Sequence, residues 1–118
     1  MVTEPRTSAE MKQCIRDCEE CAGICLETVE YCLRQGGRHA APDHINLLLA
    51  CVEMCRTSVY FMRTGSELHT QTCGVCAQVC EACARSCEQF GDDEQMRRCA
   101  EVCRRCADSC ARMAGHSM

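Results

Sequence analysis

Along nearly the whole chain, apolar or small residues recur every three or four positions with charged residues between them, the pattern of α-helices that bury one face. In three stretches the buried-face residue is cysteine: Cys14, Cys18, Cys21 and Cys25; Cys73, Cys76, Cys80, Cys83 and Cys87; and Cys99, Cys103, Cys106 and Cys110. Gaps that alternate between three and four residues are the a/d seam of a helix, so each run carries all its thiols on one side. No stretch shows the period of two that a strand requires.

Helix punctuation divides this pattern into four. Thr7 followed by Glu10 is a capping-box signal for a first helix over 8–35, which Gly36-Gly37 ends. Pro42 suits the first position of a second helix over 43–64, with Asp43 at its positive end and Gly65 as its stop. Ser66 can cap a third helix, 66–90, at once, and Gly91 terminates it; Asp92 with Gln95 opens a fourth, 92–114, which fades at Gly115. Short connections make successive helices antiparallel neighbours. The fold predicted is all-α, an antiparallel up-down-up-down four-helix bundle spanning 1–118 as one domain, with a cysteine-lined core.

Extending the frame shows what else faces inward. Helix one adds Met11, Thr28 and Cys32; helix two has His44, Leu48, Cys51, Cys55, Ser58 and Met62; helix three adds His69 and Phe90; helix four adds Met96 and Met113. All sixteen cysteines therefore fall on the seam. Antiparallel packing gathers Met11, Met62, His69 and Met113 at one end, a set of soft and borderline donors that reads as a metal entrance. Leu48, Phe90 and Met96 close the other end more hydrophobically, with Cys32 and a further candidate ligand, His44, nearby. His39 and His116 read as ordinary surface residues, and Glu53 as a solvated side chain off the seam.

Composition changes this picture in one respect. Leu, Ile, Val and Phe together number only 18 of 118 residues, too few for an ordinary core, and cysteine takes their place as a small hydrophobe. Each buried thiol removes less apolar area from water than leucine would, so a metal-free fold of low stability is expected, to which bound metal adds cohesion. A net charge of −4 with no basic stripe argues against a nucleic-acid partner. The first residues lack a secretory pattern, and the longest apolar run, Leu47 to Val52, is too short to cross a bilayer. A soluble, cytoplasmic protein without membrane partners is the expectation, and in that compartment thiols stay reduced.

Reduced thiols along a seam are a ligand set for a soft cation. Two sulfurs one turn apart can hold a two-coordinate ion, with a third available across the core; cuprous ion accepts two or three thiolates. Zinc prefers a closed tetrahedron from paired short motifs, and a continuous ladder offers no natural grouping into fours. Calcium and magnesium want oxygen, and iron–sulfur ligation usually sits on a loop followed by proline. Cu(I) is selected, with a capacity on the order of ten or more ions if sulfurs are shared. Three competing readings are thiols as mere core filler, a disulfide-stapled bundle, and a thioredoxin-like pair at Cys73-Gly-Val-Cys76. The first leaves the core weak for no packing gain. In the second, consecutive cysteines on one helix are poorly aimed at each other, and the third lacks a neighbouring strand–helix–strand.

With the motif CxxxCxxCxxxC standing as Cys14 to Cys25, Cys76 to Cys87 and Cys99 to Cys110, the chain resembles the four-helix-bundle copper storage proteins of bacteria, over essentially Met11 to Met113. The resemblance implies a bundle that stores many Cu(I) ions along its core, entered at one end past methionine or histidine, and commonly a tetramer; the absence of an export pattern points to the cytosolic type. Helix two departs from the pattern, with His44 and Leu48 towards its start and Ser58 after Cys55.

The function expected is cytosolic storage and buffering of Cu(I) by a non-enzymatic protein. The alternatives are a zinc or general soft-metal sequestration module and, further off, a thiol redox protein. Against an enzyme stand the missing general base and a uniform seam that singles out no pair. Apolar residues expected to point outward, Ile15, Leu26, Val29, Leu47, Val52, Val59 and Phe61, suggest a homo-oligomer.

Overall fold

The computed structural model describes residues 8–115. Four helices follow one another, α1 (Ala9–Gln35), α2 (Pro42–Arg63), α3 (His69–Glu88) and α4 (Glu94–Met113), with a 3₁₀ turn at Gly37–Ala40 between the first two. No strand occurs among the described residues. α1 packs against α2 and α4, and α3 against the same two, while no Cα atoms of the diagonal pairs approach within 8 Å. The result is a four-cornered bundle of 56 × 22 × 19 Å.

The helix boundaries follow local chemistry that differs in detail from the sequence signals. Ser8 caps α1 by accepting from the Met11 N–H at 3.1 Å, whereas Thr7 lies outside the described residues. The α1 C-terminus closes on Gly36, whose φ of 72° needs no Cβ and whose N–H reaches the Cys32 carbonyl at 3.1 Å. Pro42 does open α2. Ser66 does not cap α3: it accepts from the Leu68 N–H, and α3 starts at His69. Reversing the chain between antiparallel helices consumes those residues in turns. Asp93 rather than Asp92 caps α4, accepting from the Met96 N–H at 3.2 Å, and α3 ends at Glu88, so Phe90 belongs to the turn that precedes it.

The core is a column of sulfur. All sixteen cysteines are buried and free, joined by Leu48, Met62 and Met96 at full burial. Two residues expected to face outward do not: Ile15 and Val52 are buried beside the seam. A bundle helix buries a stripe wider than a strict a/d line, and these two, with Ala22, Ala84, Ala100, Val102 and Ala107, fill the margins between neighbouring helices. Leu26 stays half exposed, as do Leu33, Tyr60 and Leu68. By length and composition α2 is apolar enough to cross a membrane; here it packs as one corner of the bundle, with Cys51 and Cys55 turned to the core.

Buried polar groups interrupt the sulfur, Asp17 and Ser58 among them. Asp17 sits in the α1–α4 interface, where its carboxylate accepts from the Ser109 hydroxyl and from Gln13 Nε2, so its lone pairs are satisfied despite burial. Ser58, on the α2 seam between Cys55 and Met62, is fully buried, and its hydroxyl has no hydrogen-bond partner among the described residues.

Candidate metal centre

The helix faces place the thiols, and the antiparallel packing decides which of them meet. Cys14 on α1 lies 3.7 Å from Cys110 near the end of α4, and a Cβ on Gly74, early in α3, would stand 3.7 Å from Ala114, just past α4. Arg63, the last residue of α2, pairs with Glu19 of α1 at 2.8 Å. The start of α1, the end of α2, the start of α3 and the end of α4 therefore share one pole of the bundle.

From that pole inward, donor sulfurs gather in overlapping groups. Cys14, Cys73 and Cys110 form a triad; Cys18, Cys76, Cys106 and Cys110 follow; then Cys21, Cys55, Cys80 and Cys106; then Cys21, Cys25, Cys51 and Cys103, with all sulfurs of a group within 4.8 Å of one another. The expectation that the ladder has no grouping into fours is corrected by these sets. They are not separable, however, because Cys110, Cys106 and Cys21 each belong to two. Shared corners suit ions held by bridging thiolates, as two- and three-coordinate Cu(I) is.

The shortest approaches run between helices rather than along one. Cys18 to Cys110, Cys21 to Cys51 and Cys51 to Cys80 are each 3.5 Å, and Cys106 to Cys18 is 3.6 Å. The same-helix pairs Cys76–Cys80 and Cys106–Cys110 stand at 3.8 and 4.0 Å. Even diagonal helices meet through sulfur, as in Cys55 to Cys106 at 3.7 Å. Clamping by two thiols of one helix, the geometry suggested by the spacing, is thus secondary to clamping across interfaces. Further along, Cys25 reaches Cys99 at 3.9 Å, and Cys83 and Cys87 complete the α3 line, both buried.

A network of thiols with few other partners divides its protons unevenly. Neighbouring thiols, Cys103 foremost for Cys51 and Cys106 foremost for Cys76, hold those two below the ordinary thiol pKa. The opposite arrangement raises Cys55 through Cys106 and Cys103 through Cys21. Each sulfur that takes a metal must give up its hydrogen, so filling the column releases protons.

The candidate entrance residues occupy the expected pole, but unequally. Met62 is fully buried and Met11 nearly so, while Met113 and His69 are half-buried. His69 points Nδ1 at the Ser66 carbonyl at 2.8 Å, which fixes its ring at the start of α3.

The far pole is more polar than the sequence suggests. His44 is buried, with Nε2 3.5 Å from Cys32 Sγ and Nδ1 2.7 Å from Ser86 Oγ. Cys32 in turn lies 3.7 Å from Met96 Sδ. Burial pushes the Cys32 thiol up to about 11 and holds the His44 imidazole below its ordinary pKa. His39, read as a surface residue, is half-buried instead: its Nε2 lies 3.0 Å from Asp93, and its ring lies tilted against Phe90 with centroids 4.3 Å apart. Tyr31 donates to the same Asp93 carboxylate at 2.7 Å, linking α1, the 3₁₀ turn and the start of α4. His116 lies outside the described residues, and Glu53 is exposed. The sequence pattern places Met96 at this end beside Cys32 and His44, though as apolar closure; it does not bring in Ser86, which is adjacent to a seam cysteine and whose partner only the α2–α3 contact shows.

Comparison with known proteins agrees with this geometry. A family model described as copper storage protein matches residues 7–115. Among solved structures, the Nmul_A1745 protein from Nitrosospira multiformis is 42% identical, with a TM-score of 0.85 over 90% of this chain and 95% of that one. Cu(I)-bound copper storage protein BsCsp3 is 31% identical, TM-score 0.82, over 89% and 98%. Apo copper storage protein 3 from Bacillus subtilis is 32% identical, TM-score 0.76, over 86% and 95%. A search of curated proteins finds no match.

Proposed function

Because the chain belongs to the copper storage protein family, we propose that it stores and buffers many Cu(I) ions in the cytoplasm, held by the sixteen core thiols. The observation that carries this reading is the run of donor groups joined at shared corners: a soft univalent ion that accepts two or three bridging thiolates can fill such a column, with a capacity on the order of ten ions per chain. Burial excludes water and oxidants from the thiolates. The protein acts as a store and not as an enzyme: the ladder is uniform, and the ion is cargo.

Met11, Met62, His69 and Met113 are the proposed entry, thioethers and an imidazole weak enough to pass the ion to thiolates deeper in. Half-burial of His69 and Met113 makes them the first donors an arriving ion would meet. The exposed apolar residues, with Tyr60 and Leu33 above half exposure, fit helix-face association into a homo-oligomer, a tetramer by family resemblance. Neither nucleic acid nor membrane is a proposed partner.

Anaerobic titration with Cu(I) tests the reading. Many equivalents should bind, with ultraviolet thiolate charge-transfer absorption growing linearly until the column is full. Saturation at two to four equivalents would reject storage, and retention of zinc against a Cu(I) competitor would favour general soft-metal sequestration.

A further inference from the structure

Among the described residues, one buried side-chain oxygen or nitrogen has no hydrogen-bond partner, the Ser58 hydroxyl. The other buried polar side chains are satisfied: Thr28 donates to the Ile24 carbonyl at 2.7 Å, Asp17 accepts from Ser109 and Gln13, and His44 meets Ser86. A buried hydroxyl without a partner destabilises the fold that holds it, whereas an apolar side chain of similar size carries no such penalty. In the metal-free protein this hydroxyl is therefore a liability.

Ser58 occupies a rung of the thiol ladder. Cys51, Cys55, Ser58 and Met62 follow one another on α2 with the same spacing as Cys14, Cys18, Cys21 and Cys25 on α1 and Cys99, Cys103, Cys106 and Cys110 on α4, so the hydroxyl stands at the third place of that repeat. The register of the bundle fixes its height. Cys55 lies 3.7 Å from Cys106 and 3.8 Å from Cys76, and Cys106 lies 3.6 Å from Cys18. One turn further towards the Met11 pole, about 4.5 to 6 Å along each helix, stand Ser58, Cys110, Cys73 and Cys14. The last three form the triad of the donor groups, where each of the other groups has four sulfurs. Ser58 thus stands level with the triad, on the helix that contributes no sulfur to it.

Loading the triad creates the partner that the hydroxyl lacks. When one Cu(I) replaces the three thiol protons of Cys14, Cys73 and Cys110, three positive charges leave to solvent and one arrives, so the site gains two negative charges; no electron is transferred. At this level the core is built of thiols and thioethers, and a buried anion needs hydrogen-bond donors. A hydroxyl is such a donor, and its neutral oxygen is too hard to compete with thiolates as a ligand for a soft cation. We propose that Ser58 is a positioning residue of the outermost thiolate site: once Cu(I) is bound, its hydroxyl donates to a thiolate of the Cys14, Cys73 and Cys110 triad, and as a corner that does not ligate it keeps that ion on three sulfurs between the Met62 thioether and the four-sulfur groups deeper in. The hydroxyl destabilises the metal-free chain and stabilises the filled outer site. The proposal rests on the Cu(I) storage reading above and deepens it at one rung.

Ser58→Ala in the full chain tests it through two measurements with opposite expected signs. The urea midpoint of the metal-free variant should equal or exceed that of the unaltered chain, because an orphaned hydroxyl is removed and no bond is lost. Anaerobic competition of the filled variant with a Cu(I) chelator should show one equivalent held about ten-fold more weakly, the effect of losing a hydrogen bond to a charged group, with the total bound at excess Cu(I) unchanged. In protein carrying ¹³C-labelled serine, the Ser58 Cβ resonance, assigned by its disappearance in Ser58→Ala, should move as Cu(I) is added. A lower urea midpoint in the metal-free variant shows that the hydroxyl already has a partner and overturns the proposal; so does an unchanged affinity for every equivalent, or a Ser58 resonance unmoved at saturation. If the unaltered chain takes only two to four ions, the storage reading itself falls; if that chain stores many and Ser58→Ala holds all of them as tightly, only the role of Ser58 falls.

Discussion

The two poles of this bundle handle buried polar groups in opposite ways. In the column from Cys14 to Cys103, thiols have mainly one another, and neighbouring sulfurs sit at 3.5 to 4.0 Å in many near-equivalent pairings. Around His44 and Asp93, each group has a dedicated partner: Ser86 for His44, Tyr31 and His39 for Asp93. A set of equivalent partners can be re-paired at little cost, which is what a store of variable filling requires. Dedicated partners fix geometry and give the helix ends a defined closure. Capacity and shape are thus assigned to different regions.

Metal loading should break the contrast most. The ladder's thiols contribute little apolar burial, so ions bound only to the folded chain stabilise it by mass action, about 4 kcal/mol for each site at a thousand-fold excess over its Kd. Thermal unfolding should shift upward by tens of degrees between the metal-free and the filled protein, and removal of Cu(I) by a strong chelator should reverse the shift. Equal melting temperatures would contradict a metal-dependent core.

Shared corners provide the next test. Cys106 belongs to two donor groups and Cys25 to one. Cys106→Ser should therefore lose about two Cu(I) equivalents where Cys25→Ser loses about one, counted by anaerobic titration against a chromogenic chelator. Equal losses would mean that the groups fill independently.

Proton linkage sharpens the comparison from the other pole. The Cys32 thiol is pushed up to about 11 by burial, above the ordinary thiol value near 9. A raised folded-state pKa gives stability that is complete below the unfolded value and is lost as pH rises through the folded one. The urea midpoint of the metal-free protein should accordingly fall between pH 9 and about 11, and Cys32→Ala should flatten that fall. Cu(I) affinity runs the other way and weakens with acid, because each bound thiolate has displaced a proton.

Smaller effects belong to single polar groups. Asp93→Ala removes the α4 cap and the partner of Tyr31 and His39, and should cost about 1 to 2 kcal/mol by urea unfolding while leaving the ladder's ion count intact. Ser58→Cys replaces an unpartnered buried hydroxyl with a thiol on the α2 seam. It should stabilise the metal-free protein by roughly 1 kcal/mol and add at most one equivalent of capacity.

Much of the molecule was legible before any coordinates. The three- and four-residue gaps between cysteines place them on one helix face whatever the neighbours, so burial of Cys14, Cys76 or Cys103 followed from spacing alone. Gly36 and Pro42 marked their helix ends because their backbone constraints are intrinsic. Ser66 and Asp92 misled, since a capping side chain is chosen by where the turn brings the backbone, and Leu68 and Asp93 occupy the N-cap positions instead. Ile15 and Val52 were misplaced because the width of a buried stripe depends on how closely the next helix packs.

What this chain's sequence settled by itself is periodic: four helices and a sulfur-bearing face on each, because side-chain direction along a helix repeats with a fixed geometry. What only the tertiary structure decided is pairwise: which thiols share a corner, that the nearest sulfurs lie on different helices, and that His44 meets Cys32 and Ser86. Those contacts depend on the relative height and rotation of whole helices, set by the summed packing of Ile15, Val52, Ala84 and their neighbours at the interfaces, and no local pattern encodes that sum.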